Sequence, residues 1–156
     1  AYKNNYDYAA MIHGDNQHSP KYLNKMFEKI IKKRCISITG SRMKIKKNAL
    51  KGGMPIYKFI GNVFLTKIFN FLYRTKFTDC HTGYWVYDLK KIKKKWLQEF
   101  DDGFLFDLDM RTKLVKENFH IEEIPIFTRY GTERSSVHFN YALRFFLKSV
   151  LNKIKY

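Results

Sequence analysis

The sequence predicts one α/β domain built on a largely parallel sheet. Short apolar runs of strand length alternate with longer segments of helical periodicity, which is the pattern of β–α–β units. The chain has 156 residues, 45% of them hydrophobic, enough for one core. No internal repeat and no Gly/Ser/Pro-rich linker divides it, and 14 Phe with 11 Tyr argue against disorder.

The elements follow in order. Tyr8–His13 (YAAMIH) is apolar and too short for a helix, so it predicts a buried strand. Ser19 as N-cap with Pro20 at the first helical position opens a helix to about Lys33. Its apolar residues Tyr22, Leu23, Met26, Phe27, Ile30 and Ile31 recur at helical spacing. Cys35–Thr39 (CISIT) predicts a second buried strand, ended by Gly40-Ser41-Arg42. Residues 42–53 form a basic, mobile loop closing on Gly52-Gly53. From Pro55 to Tyr73 runs an apolar helix with aromatics on nearly every face, which suits burial against a sheet or docking onto another surface. A polar loop over 78–83 leads to a short strand at Tyr84–Tyr87, and the lysine-rich 90–97 predicts a short helix. Phe104–Asn118 reads as a helix and His120–Arg129 as a strand broken by Pro125. Residues 138–155 close the chain as an amphipathic helix, with Phe139, Leu143, Phe146, Leu147, Val150 and Leu151 on one side.

Charge narrows the classes of partner. Thirty Lys+Arg against 14 Asp+Glu give +16, which favours something anionic: nucleic acid, an acidic membrane surface or phosphorylated substrates. The lysines are spread along the chain and no nucleic-acid-binding signature is visible, so a basic nucleic-acid-binding module is the rival reading and no nucleic acid is expected. Cys35 and Cys80 form neither a disulfide framework nor a zinc pattern, which suits reduced thiols in the cytoplasm. No secretory signal or membrane-spanning run is present. The last helix flanks its apolar side with Arg144, Lys148, Lys153 and Lys155. Two readings stand: a core-docked helix, or one lying on the cytoplasmic face of an anionic membrane.

The stretch "MIHGDNQHSP" (residues 11–20) is the first that carries chemistry. Ligands of open α/β sheets bind beyond the carboxyl ends of strands, and His13, Gly14, Asp15 and Gln17 fall at such an end. Alternate residues of an extended segment can converge on one ion, and a carboxylate with an imidazole and an amide suits Mg²⁺ or Mn²⁺ carrying substrate phosphates. A capped turn in which Asp15 bonds its own loop explains the same residues.

Downstream blocks resolve into a resemblance. "ITGSRM", "GGMPIYKFIGN", "TDCHTGYWVYD", "GFLFDLDM" and "IEEIPIFTRYGTERSS" follow "MIHGDNQHSP" in the order and spacing of family 2 glycosyltransferases. The chain resembles the carboxyl-terminal part of their GT-A-type catalytic domain, in the dolichol-phosphate mannosyltransferase-like branch that acts on polyprenyl phosphates. The likeness runs from Tyr8 to about His138. It implies a GT-A-type sandwich and metal-dependent inverting transfer of a sugar from a nucleotide-sugar donor to a polyprenyl phosphate, or to a glycan hydroxyl. "MIHGDNQHSP" is similar to the family's Asp-x-Asp-x-Gln block, with His13 in place of the first acid.

The resemblance also implies roles. Asp15 would hold Mg²⁺ or Mn²⁺ at the donor diphosphate, with His13 and Gln17 as supporting ligands. Arg42, Lys58, Arg129 and Arg134 would neutralise donor or acceptor phosphates, by bidentate contact or as point charges. His81, Thr82 and Gly83 would form a substrate loop. Asp79 and Asp107 join Asp15 as candidate catalytic carboxylates, with Asp109 behind them. A hydroxyl acceptor needs one of these as a base, whereas a lipid phosphate does not. Asp107 also begins a helix, where a carboxylate is favoured by the dipole alone. Trp85 stands where the pattern has Arg, either to stack on a sugar or to fill the core. Nothing before Tyr8 resembles the family's amino-terminal strand motif. The expectation is therefore a truncated catalytic domain, without its nucleotide-binding half and inactive by itself.

Overall fold

The computed structural model describes residues 1, 4–15, 17–131 and 139–155. Along the chain these form β1 (Tyr8–Met11), α1 (Tyr22–Lys33), β2 (Ser37–Ser41), α2 (Lys46–Lys51) and α3 (Ile56–Tyr73). Then come β3 (Trp85–Asp88), α4 (Lys94–Leu97), α5 (Phe106–Lys116), β4 (Ile121–Pro125) and α6 (Phe139–Lys155). The described residues are thus mixed α/β.

The sheet order is β1-β3-β2-β4. β3 pairs antiparallel with both β1 (Ala10 opposite Val86) and β2 (Ile38 opposite Val86), while β2 pairs parallel with β4 (Gly40 opposite Ile124). The expectation of a largely parallel sheet is therefore corrected: one of the three pairs is parallel. Alternation of strands and helices fixes the order of elements but not the direction of a strand reached through a long helix and a loop. After α3, residues 74–84 bring the chain back so that β3 enters between β1 and β2 in the opposite sense. β3 is buried along its whole length, and a strand covered on both faces belongs in the centre of a sheet.

α1 covers one face, where Met26 and Ile30 pack on Ile38, Val86 and Ile124. On the other, Trp85, Tyr87 and Ile121 pack with Trp96, Met110 and Leu114 of α4 and α5. α3 and α6 lie outside α5, joined to it through Leu65, Phe69, Leu108 and Phe145.

Local chemistry explains several departures from the expected boundaries. α1 begins at Tyr22 with no side-chain cap; the Ser19 carbonyl instead accepts from the Tyr84 hydroxyl at 3.1 Å. β1 is only half-buried, because it is an edge strand with one neighbour. The basic segment 42–53 is not all loop: it contains α2. Gly52 follows that helix, and a Cβ there would stand 2.0 Å from the Thr128 carbonyl oxygen. The close approach lets the Tyr130 amide donate to the Gly52 carbonyl at 2.8 Å.

Helices α3 and α6 dock by faces their apolar residues do not announce. α3 buries Asn62, Leu65, Thr66, Phe69 and Tyr73, and exposes Ile56, Ile60, Phe64 and Phe71. α6 buries Phe145, Ser149 and Asn152, while Leu143, Leu147, Leu151 and Ile154 face outward. The core-docked reading of the last helix holds for the helix but not for its apolar stripe. Polar anchors decide the rotation: the Tyr73 hydroxyl donates to the Ser149 carbonyl at 2.8 Å, and the Asn152 amide donates to Asp109 at 2.8 Å.

Candidate functional site

Because β3 is reversed, its start lies at the edge of the sheet where β1, β2 and β4 end. That edge, with α3, α5 and α6, encloses a cleft of about 1760 Å³. The loop after β1 contributes His13, Asp15 and Gln17, and the end of β2 contributes Arg42. α3 contributes Lys58, the approach to β3 contributes His81 and Gly83, and α5 contributes Asp107. Positions spread over most of the sequence are thus brought to one cavity. Asp79 and Thr82 lie buried beneath it. Arg129 is exposed and does not line the cleft, although its backbone amide donates to the Gln17 carbonyl at 3.3 Å. Arg134 lies outside the described residues.

The floor is an ion pair. Arg42 donates from Nε to Asp79 Oδ2 at 2.7 Å and from Nη2 to Oδ1 at 2.9 Å. Further bonds reach the His81 carbonyl at 2.9 Å and the Tyr130 hydroxyl at 3.2 Å. Asp79 also accepts from Asn62 Nδ2 at 2.8 Å and from the His81 amide at 3.0 Å. Burial opposes ionisation of Asp79, but the Arg42 charge, its hydrogen bonds and the Asn62 amide outweigh burial and hold the carboxyl well below the usual range. Such a carboxylate is a weak proton acceptor, and its bonds tie Arg42, Asn62 and the loop before β3 together. Most of Arg42's donors are likewise committed within the protein. Its side chain is 13% exposed, and its work is to tie the end of β2 to the loop before β3. Glu123 continues the lattice, accepting from the Thr78 amide at 3.0 Å and the Asp79 amide at 3.2 Å.

The first loop is held from behind and open in front. His18 is buried, its Nδ1 lies 3.1 Å from Thr128 Oγ1, and its ring is 5.6 Å from that of Tyr84. Burial, with help from Arg42, pulls its pKa down to about 4, so it is neutral. His13 rests over Gly83, where an added Cβ would lie 1.9 Å from Nε2. Glycine at 83 therefore makes room for the His13 ring. Asp15 is exposed at the tip, with Oδ1 accepting from the Gln17 amide at 3.1 Å. The capped-turn reading of this loop holds, and the turn also presents the Asp15 carboxylate to the cleft.

The described residues contain no group of three or more His, Cys, Asp or Glu side chains placed to hold a metal. Asp15 and Gln17 supply a carboxylate and an amide, oxygen donors of the type a hard divalent cation takes where substrate phosphates provide further ligands. They do not form an all-protein cage, and His13 has its Nε2 edge against Gly83.

A second carboxylate behaves oppositely. Asp107 sits in the first turn of α5, and its Oδ1 is buried without a hydrogen-bond partner. Burial pushes its pKa up to about 7, against the pull of Arg111 one turn later. Nearby, His81 Nδ1 lies 3.3 Å from the Tyr141 hydroxyl while its Nε2 is buried and unpartnered. Burial lowers the His81 pKa to about 3, outweighing the Asp79 charge. Asp107 and His81 thus offer the cleft an acceptor of adjustable protonation and a neutral imidazole. Thr82 is buried: its carbonyl accepts from Trp85 Nε1 at 2.9 Å, and its Oγ1 has no hydrogen-bond partner. Trp85 is fully buried and stacks on Tyr87 at 5.4 Å, so of its two readings the core one holds. Asp109 is also structural, bonded by the Asp101 amide, Asn152 and Lys148.

Lys58 is the cleft's lysine, half-buried and 5.7 Å above the Tyr130 ring. Burial and Arg42 lower its pKa. The apolar part of the lining comes from Tyr57, Phe64 and Ile68 of α3, Leu143 and Phe146 of α6, and Phe104 before α5. Sequence reasoning missed Asn62, Tyr130 and Tyr141. Asn62 was signalled, as a polar residue within an apolar helix; the two tyrosines were not. Neither a family model nor a curated protein matches this chain.

Proposed function

We propose that this chain forms the acceptor-side part of a glycosyltransferase that moves a sugar, with inversion, from a nucleotide-sugar donor to a polyprenyl phosphate. The observation that carries this reading is the mixed lining of the cleft, in which Lys58 and the apolar side chains of α3 and α6 stand beside Asp15, His81 and Asp107. An amphiphile suits such a lining, where a wholly polar glycan would leave the apolar side chains wet.

In this reaction an acceptor phosphate oxygen attacks the anomeric carbon. The bond from that carbon to the donor diphosphate breaks, and the electron pair leaves with the nucleoside diphosphate. The phosphate is already anionic, so no proton need be removed. Lys58 would face a phosphate as a point charge, and Arg42 would act through Asp79 and Tyr130 by holding the surrounding loops. Asp15 and Gln17 would hold Mg²⁺ or Mn²⁺, which neutralises charge on the leaving diphosphate. Asp15→Ala in the intact enzyme should weaken metal-dependent donor binding by roughly tenfold or more. Titration of sugar nucleotides with and without Mn²⁺ checks this, and unchanged binding sinks the metal assignment.

One observation favours a glycan hydroxyl as acceptor instead. Asp107 lines the cleft with a buried, unpartnered Oδ1, and burial pushes its pKa up to about 7, so it would serve as the general base. Asp107→Asn separates the two. Transfer to a polyprenyl phosphate continues within a few-fold of wild type, whereas transfer to a hydroxyl falls by roughly a hundredfold or more while donor binding persists.

A further inference from the structure

We infer that the outward faces of α3 and α6 together form a docking surface for an anionic membrane, on which these two helices lie in the plane of the interface. The first ground is a second apolar face on each helix: α3 buries Leu65, Phe69 and Tyr73 and α6 buries Phe145, yet both keep apolar residues on the face turned from the core. α3 turns Asn62 and Thr66 inward and leaves Ile56, Ile60, Phe64 and Phe71 between 61% and 85% exposed. α6 turns Ser149 and Asn152 inward and leaves Leu143, Leu147, Leu151 and Ile154 between 49% and 79% exposed. Within each helix the exposed residues recur at spacings of three, four or seven, which makes a stripe and not a scatter. The two helices pack against one another through Leu65, Phe69 and Phe145. The cleft wall joins the stripes, since Phe64 belongs to the cleft and to one stripe, and Leu143 to the cleft and to the other. An apolar surface of this extent marks an interaction site.

Charge decides the occupant. α3 carries Lys58 and Lys67, and α6 carries Arg144, Lys148, Lys153 and Lys155; neither helix contains a single Asp or Glu. Lys67, Arg144 and Lys153 are exposed. Apolar stripes on helices that carry cations and no acid suit acyl chains beneath anionic headgroups, with Lys67, Arg144 and Lys153 reaching back to the phosphates. A second copy would set like charges against each other across the interface. Among the described residues no helix is long and apolar enough to cross a membrane, so the helices would lie in the interface. Residues 56–73 and 139–155 thereby gain a common role that their inward faces do not require. The inference is independent of the sugar acceptor, and its test contains neither polyprenyl phosphate nor sugar nucleotide.

The test is sedimentation of the intact protein with phosphatidylcholine vesicles, with and without phosphatidylglycerol. Three exposed cations predict binding on the order of a hundredfold tighter to the anionic vesicles, reversed by high salt. Phe71→Asp and Leu147→Asp, neither lining the cleft, should each abolish most of this binding. Ile31→Asp, at an equally exposed apolar position on α1, should leave it intact. Circular dichroism establishes that each variant is folded. In Phe71→Trp the new indole should shift to the blue on vesicle binding, against the constant background of buried Trp85 and Trp96. Equal binding to both vesicle types overturns the inference, as does undiminished binding by the two Asp variants. A dimer that dissociates in Phe71→Asp would do so too, by giving the face to a second copy.

Discussion

Asp79 and Asp107 lie at the same cleft, and their surroundings drive them apart. Both lose water, which favours the neutral acid. Asp79 regains far more from a bidentate guanidinium and an amide, while Asp107 has a bare buried oxygen and a distant Arg111. One is therefore a fixed anion and the other an acid with a pKa near 7. Asp79→Asn keeps the shape and removes the charge, leaving the Arg42 guanidinium short of its counter-ion. We expect a loss of about 3 kcal/mol in urea denaturation, the lower end of what breaking a buried pair costs. The sequence does not distinguish these two residues, because the partner of Asp79 lies 37 positions upstream. It does single out Asp15, since exposure at a loop tip after a strand is a local property.

At the scale of elements, positions of strands and helices were legible from apolar periodicity, and their ends less so. Ser19-Pro20 reads as a helix start, and α1 begins two residues later, at Tyr22, with the Ser19 carbonyl bonded to the Tyr84 hydroxyl. Gly52 illustrates a contact invisible in the sequence. It reads as a loop residue, and in the fold it is the point where the end of α2 meets the backbone at Thr128. The obstacle is a carbonyl and not a movable side chain, so Gly52→Ala must displace α2 or the segment after β4. The expected cost is about 1–3 kcal/mol by thermal melting, the range for forced overpacking. The same shift would disturb Tyr130, and with it Arg42 and Lys58.

For the whole molecule, buried titratable groups set the response to pH. His18 and His81 have folded pKa values of about 4 and 3, below their ordinary 6.5. Their contribution is complete above pH 6.5 and is lost as pH falls, because the unfolded chain then binds protons that the folded one refuses. Asp107 acts in the reverse sense. Its folded value near 7 exceeds the ordinary 3.8, so its contribution is complete below about pH 4 and is lost as pH rises through 7. Asp107→Asn should therefore be more stabilising at pH 8 than at pH 4. Melting curves at the two pH values check this, and an equal shift at both would show that Asp107 ionises freely. What the sequence alone determined were the α/β class, the order of most elements, the basic charge and a set of candidates from separate blocks, several of which line one cleft. These depend on composition and short-range period. Only the tertiary structure decided the reversal of β3, the inward faces of α3 and α6, and which carboxylate is pinned and which is poised. Strand direction and helix rotation are set by contacts between distant segments, and ionisation by collective burial. No window of neighbouring residues contains either.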